Sequence, residues 1–244
     1  MLLVYDYLKS VVASGRPVVA ALVDPDSEPP LLDRWVRQCE QAGVGFFLVG
    51  GSLLYKGNAA LTVQRLKSLT RLPVVLFPAS PSHLCSGADA LLFLSLISGR
   101  NPDFLIGRHV EAAPLLKKLE LEVIPTGYML VDCGALTTAH YVSGTSPLPN
   151  DKPELAACVA LAGSYLGLKA LYLDGGSGAL RPVNPAIIEA VKTETSLPLF
   201  VGGGIRTPDQ CAAASRAGAD VVVVGHILEK SPNILEELCK AVCR

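Results

Sequence analysis

Long apolar runs are missing from this chain: no stretch of about eighteen apolar residues occurs, so no segment is expected to span a membrane. An excess of either charge is missing too. Lys and Arg number 21 against 22 Asp and Glu, a formal net charge of −1, which removes the electrostatic reason to expect a nucleic-acid partner. Aromatic residues are scarce, at 6% with a single Trp, although half the chain is hydrophobic. The core must therefore be aliphatic, as in a parallel sheet covered by helices. Cysteine patterns are lacking: residues 39, 85, 133, 158, 211, 239 and 243 are odd in number and form no CxxC pair, and Cys239 and Cys243 lack the flanking ligands of a zinc site. They read as reduced thiols of a cytoplasmic protein. Met1–Ser10 holds Asp6 and Lys9 and no long apolar core, so it is not expected to be a signal peptide. Histidines 83, 109, 140 and 226 fall in unrelated elements, which supports neither a Ser-His-Asp nor a Cys-His arrangement, and the glycines fit neither Walker nor dinucleotide-binding spacing.

What is present centres on Leu199–Arg206, Leu-Phe-Val-Gly-Gly-Gly-Ile-Arg. An apolar run stops at three glycines, and Thr207-Pro208-Asp209 then starts a helix. Glycine lets the backbone approach a ligand closely, and the N–H groups of the following turn can face an anion. About twenty residues on, Ala219–His226 repeats the pattern of apolar strand, glycine and polar residue. Two such turns in succession near the C-terminus are how a (β/α)8 barrel holds a phosphate after its last two strands. Taken singly, each reads as no more than a tight turn.

The rest of the chain alternates strand and helix patterns, which predicts α/β architecture with parallel pairing. Strands are expected at 17–23, 46–49, 74–77, 90–94, 122–131, 170–173, 199–201 and 221–224. Helices are expected at about 31–42, 58–68, 108–119, 153–165, 184–193, 208–217 and 234–243, with Asn58 and Asp151 as candidate N-caps. Residues 78–87 have no room for a full helix, so the third helix should be missing or reduced to a turn. Residues 95–107 read as a polar loop, and 132–152 as a long Gly/Ser/Thr/Pro-rich loop of the kind that is functional or mobile. With no dividing linker, residues 1–244 read as one (β/α)8 TIM-barrel domain whose strand ends converge on a catalytic face.

Those strand ends supply Asp24 and Asp26; Ser52; Thr126; Tyr172, Asp174 and Ser177; Gly202–Gly204; and Gly225 with His226. Asp24 and Ser52, a carboxylate and a hydroxyl without His or Cys beside them, suit Mg²⁺, which completes its shell with phosphate and water; an Asp-Pro turn explains Asp24 as well. Asp174 could accept a proton from a substrate hydroxyl, or cap the turn at Gly175-Gly176. Tyr172 should share its barrel face by strand alternation, where a core tyrosine is the alternative. The residues alone lead to a barrel that binds a small phosphorylated hydroxy compound, with Mg²⁺, and leave the reaction open.

Together, several blocks resemble the geranylgeranylglyceryl phosphate synthase family, which includes bacterial heptaprenylglyceryl phosphate synthase relatives. The matching text is Val23–Asp26, Val49–Ser52, Phe93–Ser95 with Asn101-Pro102, Pro125–Tyr128, Asp151–Glu154, Tyr172–Ala179, Val201–Arg206 and Val224-Gly225, in the family's order. The resemblance implies transfer of a prenyl group from its diphosphate to the primary hydroxyl of sn-glycerol 1-phosphate, with release of diphosphate. It implies Mg²⁺ on Asp24 and Ser52, and a catalytic pair in Tyr172 and Asp174. The glycerol phosphate site would be Tyr172, Leu173, Asp174, Gly175, Gly176, Ser177 and Gly178, with Gly203, Gly204, Gly225 and His226 cradling the phosphate. An apolar groove at the missing third helix would take the prenyl tail. Three positions depart from the pattern: Asp174 replaces the usual Glu, Leu22 the Lys of some members, and His226 the usual Asn or Thr. The 132–152 text and Asp24-Pro25-Asp26 resemble the geranylgeranyl-using branch, implying an oligomer built from dimers and contact with a membrane surface for the lipid product. The heptaprenyl reaction, a phosphosugar isomerase or aldolase on the same barrel, and a non-catalytic phosphate-metabolite binder stand as alternatives. No Lys at a strand end supports an aldolase.

Overall fold

Short runs of Val, Leu, Phe and Ala, buried on both faces, can satisfy their backbones only by pairing with one another under a coat of helices. In the computed structural model, which describes residues 3–225 and 234–242, they do so as a closed barrel. Strands β1 (Val18–Val23), β2 (Phe46–Val49), β3 (Val74–Leu76), β4 (Ala90–Leu96), β5 (Glu122–Leu130), β6 (Ala170–Asp174), β7 (Leu199–Gly202) and β8 (Val221–Val224) pair in parallel in sequence order, and β8 closes onto β1. Alternation divides each strand. In β6, Ala170 and Tyr172 join the barrel interior, whereas Leu171 and Leu173 pack beneath the helices. Inside, the rings of Phe77, Tyr172 and Phe200 stack in series, 4.8 and 5.8 Å between centroids.

The helices are α1 (Val4–Ser14), α2 (Leu32–Ala42), α3 (Ala59–Leu69), α4 (Arg108–Leu119), α5 (Thr138–Ser143), α6 (Pro153–Tyr165), α7 (Pro185–Glu194), α8 (Pro208–Arg216) and α9 (Leu235–Val242). Asn58 caps α3 as expected, its side chain accepting from the N–H groups of Ala60 and Leu61. Asp151 does not cap α6: Lys152 holds that position without a side-chain bond, because Pro153 takes the first helical place. Between β3 and β4 only the 3₁₀ turn Pro81–His83 is present, the reduced third helix that the prolines predicted. The stretch expected as loop over 95–107 contains the end of β4 and a π-helical turn, Asp103–Gly107. The long 132–152 segment contains α5. Cys243, expected to end the last helix, lies outside the described residues. No disulfide joins the six described cysteines, and burial pushes the thiols of Cys133 and Cys211 up to about 12, which keeps them protonated and unreactive.

Helix α1 was not expected. It closes the end of the barrel opposite the strand C-termini, placing Val4 and Leu8 among the interior side chains. Its first N–H groups are met by a distant side chain: the Glu122 carboxylate at the start of β5 accepts from Val4 (2.6 Å) and Tyr5 (3.0 Å), which suits a negative charge to a helix N-terminus. Leu8 is 1% exposed, so Leu8→Ala should leave a cavity and cost about 2–5 kcal/mol in urea unfolding. A loss below about 0.5 kcal/mol, the size of an ordinary surface change, would mean that α1 does not seal the barrel.

Candidate active site

The strand C-termini surround one cavity of about 700 Å³, within the size range of small-molecule sites. Each wall has a local cause. At the end of β1, Asp24 Oδ1 accepts from the N–H of Asp26 at 2.9 Å, the turn that Asp-Pro favours. Asp26 reaches across to the loop after β2. Its carboxylate accepts from the N–H groups of Tyr55 (2.7 Å), Lys56 (2.9 Å) and Gly57. Those donors, Tyr55 first, hold its carboxyl below the ordinary range. Asp26 thus organises the loop that carries Ser52. Thr126 spends its hydroxyl on the carbonyl of Ile124 (2.8 Å), below the cavity.

Asp24 and Ser52 share the cavity wall. A Cβ on Gly51 would sit 2.9 and 3.0 Å from the two Asp24 carboxylate oxygens, so a larger residue there would have to push that carboxylate aside. The donor set is all oxygen. Among the described residues no three His, Cys, Asp or Glu side chains converge, so a divalent cation here would take most of its shell from substrate and water, as Mg²⁺ does. The residues present fit such an ion.

Opposite them, the last residue of β6 is a buried carboxylate. Asp174 is 8% exposed; its Oδ2 accepts from the Tyr128 hydroxyl at 2.5 Å and its Oδ1 from the N–H of Gly176 at 2.6 Å. Burial raises its carboxyl above the ordinary range, while Tyr128, Gly176 and the nearby His140 pull it back down. Burial also holds the hydroxyls of Tyr128 and Tyr172 well above their usual titration, so both stay protonated donors. Tyr128 was not singled out from the sequence. Its signal lay in β5, where in-register pairing sets Tyr128 beside Tyr172 and Leu130 beside Asp174.

The glycine turns meet backbone to backbone. Gly203 has φ +82°, and a Cβ there would lie 2.6 Å from the nitrogen of Gly176 and 2.7 Å from that of Gly175. No side chain fits between these loops. The Arg206 guanidinium ties them further by donating to the carbonyls of Leu180 (3.1 Å) and Ala179. Gly176, Gly203 and Gly204 face the cavity from these turns, and consecutive main-chain turns can form an anion-binding concavity.

Of the sequence-derived candidates, Asp24, Ser52, Tyr172, Asp174, Gly176, Ser177, Gly178, Gly203, Gly204 and Gly225 line the one cavity. Leu173 and Gly175 do not: the Leu173 side chain packs beneath the helices, and the Gly175 N–H donates to the Gly202 carbonyl at 3.0 Å. His226 lies outside the described residues. On the other side the cavity continues over the 3₁₀ turn into an apolar groove walled by Phe77, Leu84, Phe93, Leu94, Phe104 and Ala112, space that a full third helix would have filled.

One cavity of a (β/α)8 barrel thus brings together consecutive glycine turns, a buried carboxylate and an apolar groove. The PcrB family model matches residues 16–243, and the chain belongs to that family. A Spirosoma linguale protein named geranylgeranylglyceryl phosphate synthase is 50% identical over 236 residues, covering 96% of this chain and 95% of that one. A Pyrococcus abyssi protein of the same name is 40% identical over 232 residues, 94% and 91%. The crystal structure of (S)-3-O-geranylgeranylglyceryl phosphate synthase from Thermoplasma acidophilum, in complex with its substrate sn-glycerol-1-phosphate, superposes with a TM-score of 0.91 at 32% identity, covering 100% and 99% of the chains. Tryptophan synthase subunit alpha from Legionella pneumophila, at TM-score 0.61 and 16% identity, shares the fold alone.

The raised Asp174 carboxyl also bears on stability. The folded state holds that proton more tightly than the unfolded chain, so stability is lost as pH rises from the ordinary carboxylate value, 3.8, through the folded one. Asp174→Asn escapes this loss: its Oδ1 can still accept from the Gly176 N–H, and its Nδ2 can donate to the Tyr128 hydroxyl, reversing the direction of that bond. Its melting temperature should exceed that of the wild type at pH 7, with the gap closing as pH falls below about 4. An Asn variant less stable than the wild type at pH 7 would refute the account of Asp174 as a strained buried charge.

Proposed function

We propose that this chain is a geranylgeranylglyceryl phosphate synthase. It transfers the geranylgeranyl group from its diphosphate to the primary hydroxyl of sn-glycerol 1-phosphate. The observation that carries this reading is the position of Asp174 at the junction between the glycine cradle and the apolar groove of a single cavity. Its named relatives and the glycerol phosphate complex of the Thermoplasma acidophilum protein support it. Glycerol phosphate lies with its phosphate against Gly176–Gly178, Gly203, Gly204 and Gly225, and its hydroxyl toward Asp174. The prenyl tail lies in the groove between Phe93 and Phe104.

In the reaction the hydroxyl oxygen forms a bond to the first carbon of the prenyl chain, the bond from that carbon to the diphosphate oxygen breaks, and diphosphate departs. The proton of the hydroxyl passes to Asp174 Oδ, whose elevated carboxyl is the better matched to receive it. Tyr128, donating to the same carboxylate, keeps it aimed. Tyr172 forms the floor beneath. Mg²⁺ held by Asp24 and Ser52 would neutralise charge on the departing diphosphate.

Incubating the purified protein with labelled sn-glycerol 1-phosphate, Mg²⁺ and prenyl diphosphates of several lengths tests the assignment. Geranylgeranylglyceryl phosphate should be the main product; preference for the heptaprenyl donor would reassign the chain length, and no product with any donor would overturn the reading. Asp174→Asn should lower turnover about 10²- to 10⁴-fold with a smaller change in prenyl donor affinity. Asp24→Asn should lower it about 10²-fold and raise the Mg²⁺ concentration needed for half-maximal rate. An unchanged Mg²⁺ requirement would remove Asp24 from the metal site.

A further inference from the structure

The third residue of α5 is unusual for its place. Thr137 and His140 form a capping box, in which the Thr137 N–H donates to His140 Nδ1 at 3.1 Å. That position ordinarily holds Glu or Gln, whose side-chain oxygen performs the same task. A ring whose Nδ1 accepts carries its proton on Nε2. In His140, a residue only 4% exposed, that Nε2 is buried and has no partner among the described residues. An unpaired buried donor is costly, and a Glu cap would carry none. Capping alone therefore does not account for a histidine here.

The neighbour of this imidazole is Asp174. Thr137 Oγ1 packs on the Gly176 turn, where a Cβ on Gly176 would lie 2.5 Å from it, and the Gly176 N–H is one of the two donors to the Asp174 carboxylate. A positive charge on His140 favours the ionised form of that carboxyl. The other ionisable groups around Asp174 are the Tyr128 and Tyr172 hydroxyls and the Cys133 thiol, which burial keeps protonated and uncharged; Arg181 and Asp132 act on Cys133. The ring can take up a proton and keep its hold on α5. Thr137 Oγ1 stands 3.2 Å from Nδ1 and can accept from it once Nδ1 is protonated. At the far end of the helix, Asn101 Nδ2 donates to the Ser143 carbonyl at 2.8 Å, so α5 is tied down at both ends.

We propose that His140 is a positioning residue for Asp174: it caps α5 with one nitrogen and turns the charge of its ring on the buried carboxylate, holding it in the ionised, accepting state. The effect on rate rests on Asp174 being the proton acceptor; the effect on Asp174 itself does not. Three variants of the full-length chain separate this role from capping. His140→Gln and His140→Glu keep an oxygen for the Thr137 N–H and should melt near the wild type, whereas His140→Ala, without a cap, should melt below it. The carboxyl carbon resonance of Asp174, identified by its loss in Asp174→Asn, should titrate about one pH unit higher in His140→Gln. In His140→Glu, where a like charge replaces a positive one, it should titrate higher again, and the acid limb of kcat/KM should follow in both. A resonance that titrates at the wild-type pH in both variants makes His140 a cap and nothing more, which overturns the proposal. So does a Gln variant that melts as low as the Ala variant. A resonance that moves while the acid limb stays would support the role of His140 and count against Asp174 as the base.

Discussion

The cavity depends on keeping a carboxylate where water scarcely reaches. An unpaired charge in such a place costs several kcal/mol, and Asp174 is tolerable only because Tyr128 and the Gly176 N–H both donate to it at short range. Each hydrogen bond to a charged group returns about 1.5–3 kcal/mol. That balance leaves a carboxylate that is present, oriented and more basic than one in water. The other features of this face follow from keeping those donors in place. In-register pairing of β5 with β6 fixes Tyr128 beside Tyr172, the ring stack of Phe77, Tyr172 and Phe200 supports it from below, and the Gly203 turn locks the loop that supplies the Gly176 donor.

A second constraint is the shortened connection between β3 and β4. A regular barrel would roof this side with a helix. Here Pro81–His83 makes a single turn, and the Phe93 and Phe104 walls stay open to the cavity. The same chain segment therefore removes a structural element and creates an apolar channel leading to the polar cradle. Polar and apolar halves meet at Asp174, where an amphiphilic product would be made.

Much of this was legible in the residues, for definite reasons. Strands buried on both faces read as continuous apolar runs, and loops that must touch read as glycine blocks because nothing else fits. The unread parts involve distant partners. Helix α1 has no local cap, since Leu3 precedes it and the capping carboxylate is Glu122, far along the chain. Helix α5 is six residues hidden in Gly/Ser/Thr/Pro-rich text. Tyr128 acquires meaning only once β5 and β6 are paired. Leu173 stands inside the Tyr172–Ala179 block, yet strand alternation between Tyr172 and Asp174 turns it away from the cavity.

The central claim is that a buried Asp174, held by Tyr128, is the group that receives the proton. The pH dependence of kcat/KM tests it most directly. The account predicts an acid limb from one ionisation lying above the ordinary carboxylate value of 3.8, moving to still higher pH in Tyr128→Phe, where a bond to the ionised form is lost. An acid limb at the ordinary value, or one that Tyr128→Phe leaves in place, would contradict it.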